Sequence, residues 1–265
     1  MTGASARDVR LGIDRVRGAT VSGAEARGKH LLLGFERPDA PELVLHTHLG
    51  MKGSWRVRSA GRPWGRPPAD TLVVIETGDH HAACWAPVIV RLVSRGDLAR
   101  PGESPLPSLG PDALIQPFDM EEVLRRAALV RAARPDTTIG ELLLDQSVAS
   151  GIGNVYRCEA LFVRGVSPFA GVGDISDEQL ADLFGLCASM LRANLAPGRG
   201  FGRDTGGGTG RSWVHRRAGL PCRRCRASIR SSDLGRRPRR IYWCPKCQPF
   251  TPAATPPTCA GACNL

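Results

Sequence analysis

Over the first hundred residues apolar positions fall in short runs, at 30–35, 43–48, 54–57, 71–77 and 88–93, separated by Gly and Pro. Alternation with a period near two, punctuated by turn formers at this spacing, predicts short β-strands of a sandwich or barrel-like domain. A Pro-rich connection at 101–111 closes that half. The period then changes. Residues 120–133 and 139–147 carry helical spacing, and Thr138 with Glu141 forms a capping box ahead of Leu142, Leu143 and Leu144. The device recurs at 176–195, where Ser176 and Gln179 cap a stretch whose Leu180, Leu183, Phe184, Cys187, Met190 and Leu191 share one apolar face. That stripe reads as core. Residues 196–210 are dense in glycine, which predicts a mobile loop, and no internal repeat is present. The pattern predicts an α+β multidomain chain.

Composition adds little until charge is placed along the chain. The 265 residues are 42% hydrophobic and 23% charged, which excludes general disorder. No apolar run reaches the roughly 18 residues needed to span a membrane, and residues 1–10 lack the basic-then-apolar order of a secretion signal. A cytoplasmic, nucleoid-associated protein is the expectation. The formal net charge is +11, and residues 211–247 hold eleven Arg and one Lys against a single acid, Asp233. That one stretch therefore carries the whole excess. A cationic surface so concentrated favours a polyanion, because neutralised phosphates release condensed counterions.

Nine cysteines in a reducing compartment are read for metal before disulfides. Cys222 and Cys225 are separated by two residues, as are Cys244 and Cys247, with 18 residues between the pairs. Paired CxxC turns at this spacing match a zinc ribbon, with a β-hairpin returning the chain to one structural Zn²⁺. Four protein ligands leave no open coordination position, so such a metal folds the segment and activates no water. Arg236, Arg237, Arg239 and Arg240 precede the second pair, where a hairpin presents guanidinium groups to phosphates. Cys84, Cys158 and Cys187 sit singly among apolar neighbours and read as buried small residues, while Cys259 and Cys263 fall in a Pro/Ala/Thr tail.

Five segments in register narrow the function: ARGKHLLL at 26–33, HTHLGMKGSW at 46–55, SLGPDAL at 108–114, LLLDQSVASGIGNVYRCEALF at 142–162, and the four-cysteine segment. In this order the chain resembles the formamidopyrimidine-DNA glycosylase/endonuclease VIII family over roughly residues 18–248. The resemblance implies an N-terminal β-sandwich, here shortened, a helix-two-turn-helix domain, and a C-terminal four-cysteine zinc-finger β-hairpin. Their expected limits are 1–111, 112–210 and 211–249, followed by a disordered tail at 250–265. It implies base-excision repair, in which a damaged base is flipped out and removed from double-stranded DNA and the abasic strand is cut by elimination, by a monomer. Asn154 is implied as a phosphate contact, beside glycines that allow close approach. Lys29 is implied as a phosphate ligand and proton donor in β-elimination, Arg239 as the hairpin arginine of δ-elimination, with Arg240 its nearest competitor. Met51 corresponds to the residue that fills the gap left by the flipped nucleotide, and His48 lies near the same backbone. Tyr156 and Glu159 read as helix-packing residues. Trp55, Tyr242 and Trp243 tilt the resemblance toward the endonuclease VIII branch.

The beginning departs from the family, whose members start with Pro and Glu after removal of Met, the Pro amine attacking C1′. This sequence begins Met1, Thr2, Gly3, and no acid follows Thr2 to support its amine as a nucleophile. Two expectations follow. Either a Pro-Glu beginning lies upstream of Met1, the reading that the intact downstream motifs favour, or the chain is a catalytically silent paralogue that binds damaged DNA.

Overall fold

The computed structural model describes residues 1–62, 71–102, 104–195, 205, 212–236 and 238–249. They divide into two compact units, Met1–Ser108 and Leu109–Leu265. The glycine-rich stretch (apart from Thr205), Arg237 and the tail with Cys259 and Cys263 lie outside the described residues.

The first unit contains β1 (Gly3–Ala6), β2 (Thr20–Arg27), β3 (His30–Arg37), β4 (Ala40–His48), β5 (Ser54–Ser59), β6 (Thr71–Glu76), β7 (His80–Trp85) and β8 (Ile89–Ser94). They form two antiparallel four-stranded sheets, ordered β1-β6-β7-β5 and β2-β3-β4-β8. Phe35 and Leu45 from one sheet meet Val73, Ile75 and Cys84 from the other in a shared core, which makes the unit a sandwich. Strand β4 is buried on both faces. Leu43 and Leu45 point into the sandwich core, whereas Val44 and His46 face the chain after β8, where Asp97, Leu98 and Ser104 close over His46, Arg91 and Val93. The sequence pattern did not announce β1, β2 or β7. Strand β2 is exposed almost throughout, and β7 is His/Ala-rich, so neither shows the alternation that marks a half-buried strand.

The second unit holds α1 (Met120–Ala133), α2 (Ile139–Leu142), α3 (Asn154–Arg164), α4 (Asp177–Ala193) and the hairpin β9 (Arg230–Leu234) and β10 (Arg239–Trp243). Both capping boxes form: Thr138 with Glu141 starts α2, and Ser176 with Gln179 starts α4. Leu180, Leu183, Phe184 and Cys187 of α4 enter a core with Leu142, Leu143, Ile152 and Leu161. Helix α2 ends well before residue 147. Asp145 accepts from the backbone and hydroxyl of Ser147 at 3.0 and 2.6 Å, a local turn that competes with continued helix. No helix among the described residues is long and apolar enough to cross a membrane.

Candidate functional site

In the second unit the site is built on the start of α3. Gln146 stitches the turns before it, donating to Leu144 O (2.8 Å) and Ile152 O (3.1 Å) and accepting from Gly151 N (3.1 Å). Gly151 lies at φ 94°, a left-handed conformation that glycine adopts without strain. Gly153 is the N-cap and supplies no side-chain hydrogen bond, in contrast to the boxed starts of α2 and α4. Gly153 therefore offers no side-chain acceptor to the first turn of α3. Asn154, the first helical residue, donates Nδ2–H to Arg240 O at 2.8 Å. That bond ties the GIGN turn to the turn end of the basic hairpin, where Arg239 and Arg240 are exposed.

The hairpin is held to α3 by packing and by one buried acid. Phe162 and Cys158 of α3 share a core with Val214, Cys222, Ile229, Ile241 and Cys244. The Arg224 guanidinium sits 4.6 Å from the Phe162 ring centroid, and Trp213 stacks on the same ring at 5.4 Å. The carboxylate of Glu159 is fully buried and accepts from Trp213 N (2.6 Å), Val214 N (3.0 Å), His215 N (2.8 Å) and Thr205 Oγ1 (2.7 Å). Glu159 thus clamps the chain entering the cysteine segment, a task beyond packing. Its sequence signal was an acid inside an otherwise apolar helix face.

Cys222, Cys225, Cys244 and Cys247 bring their sulfurs within 4.8 Å of one another. The Cys222–Cys247 and Cys225–Cys244 separations are 3.9 and 3.4 Å. Tetrahedral thiolates bound at about 2.3 Å stand about 3.8 Å apart, so the four residues fit a metal ion. Arg224 N donates to Cys222 Sγ and Cys247 N to Cys244 Sγ, both at 3.4 Å, the turn geometry of a CxxC knuckle. The backbone hydrogen bond from Ala227, with the neighbouring sulfurs, lowers the Cys225 thiol to about 7. Burial raises Cys244 and Cys247 of the cluster, and it likewise pushes the isolated Cys84 up to about 12 and Cys158 up to about 11.

In the first unit Lys29, His48 and Met51 gather at one end of a sheet. Lys29 occupies the two-residue β2–β3 turn after Gly28 (φ 56°), and the strand it opens pairs His30 with His48. His48 ends β4 and leads into the turn closed by Gly53 N to Leu49 O at 2.9 Å, from which Met51 projects 80% exposed. Behind His48 lies a histidine column whose members, His30 and His46, belong to the ARGKHLLL and HTHLGMKGSW segments. His30 Nδ1 and His46 Nε2 share a hydrogen bond of 2.8 Å, and the His30 and His48 rings stand 4.7 Å apart. Burial first, then neighbouring positive groups including Lys29, lower His30 to about 4 and also lower His46 and His48. Thr2 donates its backbone N–H to Glu76 O at 2.9 Å, extending the β1–β6 pairing. Trp55 donates to Thr47 Oγ1 at 3.2 Å, while Tyr242 and Trp243 pack on His215 and Phe169.

Two family models match this chain: the formamidopyrimidine-DNA glycosylase N-terminal domain over residues 5–86 and the formamidopyrimidine-DNA glycosylase H2TH domain over residues 109–204. The chain belongs to the formamidopyrimidine-DNA glycosylase/endonuclease VIII family. Among relatives in that family, "Probable endonuclease 8 2" of Streptomyces coelicolor is 37% identical over 87% of this chain and 80% of its own length. A DNA-(apurinic or apyrimidinic site) lyase of Mycolicibacterium smegmatis is 35% identical over 87% and 83% of the two chains. The formamidopyrimidine-DNA glycosylase of Methylococcus capsulatus is 32% identical over 89% and 84%. The fold is that of the Lactococcus lactis enzyme solved with abasic-site DNA, at a TM-score of 0.74, 21% identity, and 94% and 92% coverage. The sandwich, the helix-two-turn-helix unit and the cysteine cluster are thus the family architecture that the five sequence segments implied.

Proposed function

We propose that this chain is a base-excision repair DNA glycosylase with abasic-site lyase activity, acting on double-stranded DNA that carries oxidised bases or abasic sites. The observation that carries this reading is the bond from Asn154 Nδ2 to Arg240 O, which makes the uncapped start of α3 and an arginine-rich hairpin one cationic surface. The Asn154 amide has two N–H groups; one is taken by Arg240 O and the other serves a phosphate oxygen beside the lesion. Arg239 and Arg240 grip the same backbone, with Arg239 as the δ-elimination residue. Lys29 holds phosphate and hands a proton to the elimination, beside a neutral His48. Met51, exposed on a tight turn, fills the stack left by the flipped nucleotide.

One structural Zn²⁺ on Cys222, Cys225, Cys244 and Cys247 holds the hairpin in shape; with four protein ligands it takes no part in chemistry. The functional domains are the sandwich at 1–111, the helix-two-turn-helix at 112–210 and the finger at 211–249, in a nucleoid-associated protein. The likeness to the Streptomyces coelicolor and Mycolicibacterium smegmatis proteins favours the endonuclease VIII branch.

Borohydride reduction in the presence of abasic-site duplex tests the chemistry, because an imine at C1′ becomes a stable protein–DNA adduct. A trapped adduct is expected from the chain extended upstream to a Pro-Glu beginning, whose Pro amine is the nucleophile. Tight, salt-sensitive binding without an adduct would instead identify a damaged-DNA-binding paralogue. Metal analysis should return one zinc per chain; none would remove the finger from the reading.

A further inference from the structure

Among the described residues Arg157 is the one lysine or arginine buried to 1% exposure. It lies on α3, three residues after Asn154. Its Nη1 donates to Gly140 O at 3.0 Å, and its Nη2 donates to Asn154 Oδ1 and reaches Arg239 O and Arg240 O at 3.5 and 3.4 Å. These acceptors are carbonyl and amide oxygens, not carboxylates, and Nε has no partner among the described residues. A cation placed so is costly, since burial strips its hydration and no carboxylate hydrogen-bonds it, Glu141 acting on it only through space. An apolar side chain of the same length would fill the position without that cost. Stability therefore does not explain the charge, whereas three of its contacts are with the residues that hold phosphate.

Resting on the reading that Asn154 and Arg239 grip the DNA backbone, we infer that Arg157 is a positioning residue for that grip. By binding Asn154 Oδ1 it fixes which end of the carboxamide faces inward, so that the N–H end, and not the repelling oxygen, is offered to phosphate. By reaching the carbonyls of Arg239 and Arg240 it ties the turn end of the hairpin to the start of α3. Its charge beneath the site adds positive potential that solvent screens weakly.

The test uses the zinc-loaded full chain and a duplex carrying a tetrahydrofuran abasic analogue, with affinity read by fluorescence anisotropy and strand cleavage measured on true abasic duplex. Arg157→Lys keeps the charge but cannot span Gly140 and Asn154 together; Arg157→Met keeps volume alone. Both should weaken binding by on the order of tenfold to a hundredfold, the worth of about one hydrogen bond to a charged group. KM should rise by more than kcat falls, as when binding is the larger part of what is lost. Combining Arg157→Lys with Asn154→Ala should weaken binding no further than Asn154→Ala alone. Wild-type affinity in Arg157→Lys, or effects that simply multiply, would overturn the inference. Should Arg157→Met lose its zinc or helical signal, the affinity of Arg157→Lys decides between the outcomes. An Asn154→Ala variant that binds normally would instead sink the phosphate-grip reading, and this inference with it.

Discussion

The two halves of the molecule bury polar groups by opposite means. In the sandwich, His30 and His46 are buried, each at 9% exposure or less, and both answer burial by giving up the proton, which leaves a neutral hydrogen-bonded pair. In the helical unit Arg157 and Glu159 lie two residues apart on α3, both at 1% exposure or less, and each is met by several hydrogen-bonding groups. An imidazole can discharge within the physiological range; a guanidinium cannot, so its site must supply acceptors instead. The difference shows where this protein tolerates fixed charge: at the junction of α3 with the arginine hairpin, not in the sandwich core.

The largest test of that contrast is Glu159→Gln. One amide oxygen cannot serve Trp213, Val214 and His215 together, and its NH₂ would face their N–H groups. Unpaired buried donors should cost about 3 kcal/mol in denaturant unfolding. Residues 213–215 should also lose hydrogen-exchange protection, and unchanged unfolding would mean that the clamp is incidental.

A pH series probes the other half. The folded histidines lie below their ordinary 6.5, with His30 at about 4, so the unfolded chain binds more protons between those values. Stability from this source is complete above pH 6.5 and drains as the pH falls toward 4. The thermal midpoint should drop by roughly 5 °C from pH 7 to pH 5, and by less in His46→Gln. An equal drop in that variant would place the acid sensitivity elsewhere.

The smallest effect should come from Asp182→Asn. Arg164 and Asp182 form an exposed ion pair, with Nη2 to Oδ1 at 2.7 Å and side chains 40% and 49% exposed. Solvent and salt screen such a pair to under about 1 kcal/mol. A larger loss would erase the distinction between surface and buried charge drawn above.

The sequence by itself determined the features whose causes are local. Two capping boxes, the CxxC pairs and the glycine-flanked Asn154 each depend on residues a few positions apart, so their spacing sufficed to read them. The five ordered segments likewise sufficed for the family. Only the tertiary structure decided which partners meet across long stretches of chain. Asn154 meets Arg240 across 86 residues, Glu159 meets Val214 across 55, and His30 meets His46 across 16. Periodicity describes one element's own faces, and it is silent on which distant backbone groups a buried side chain will find when those faces close.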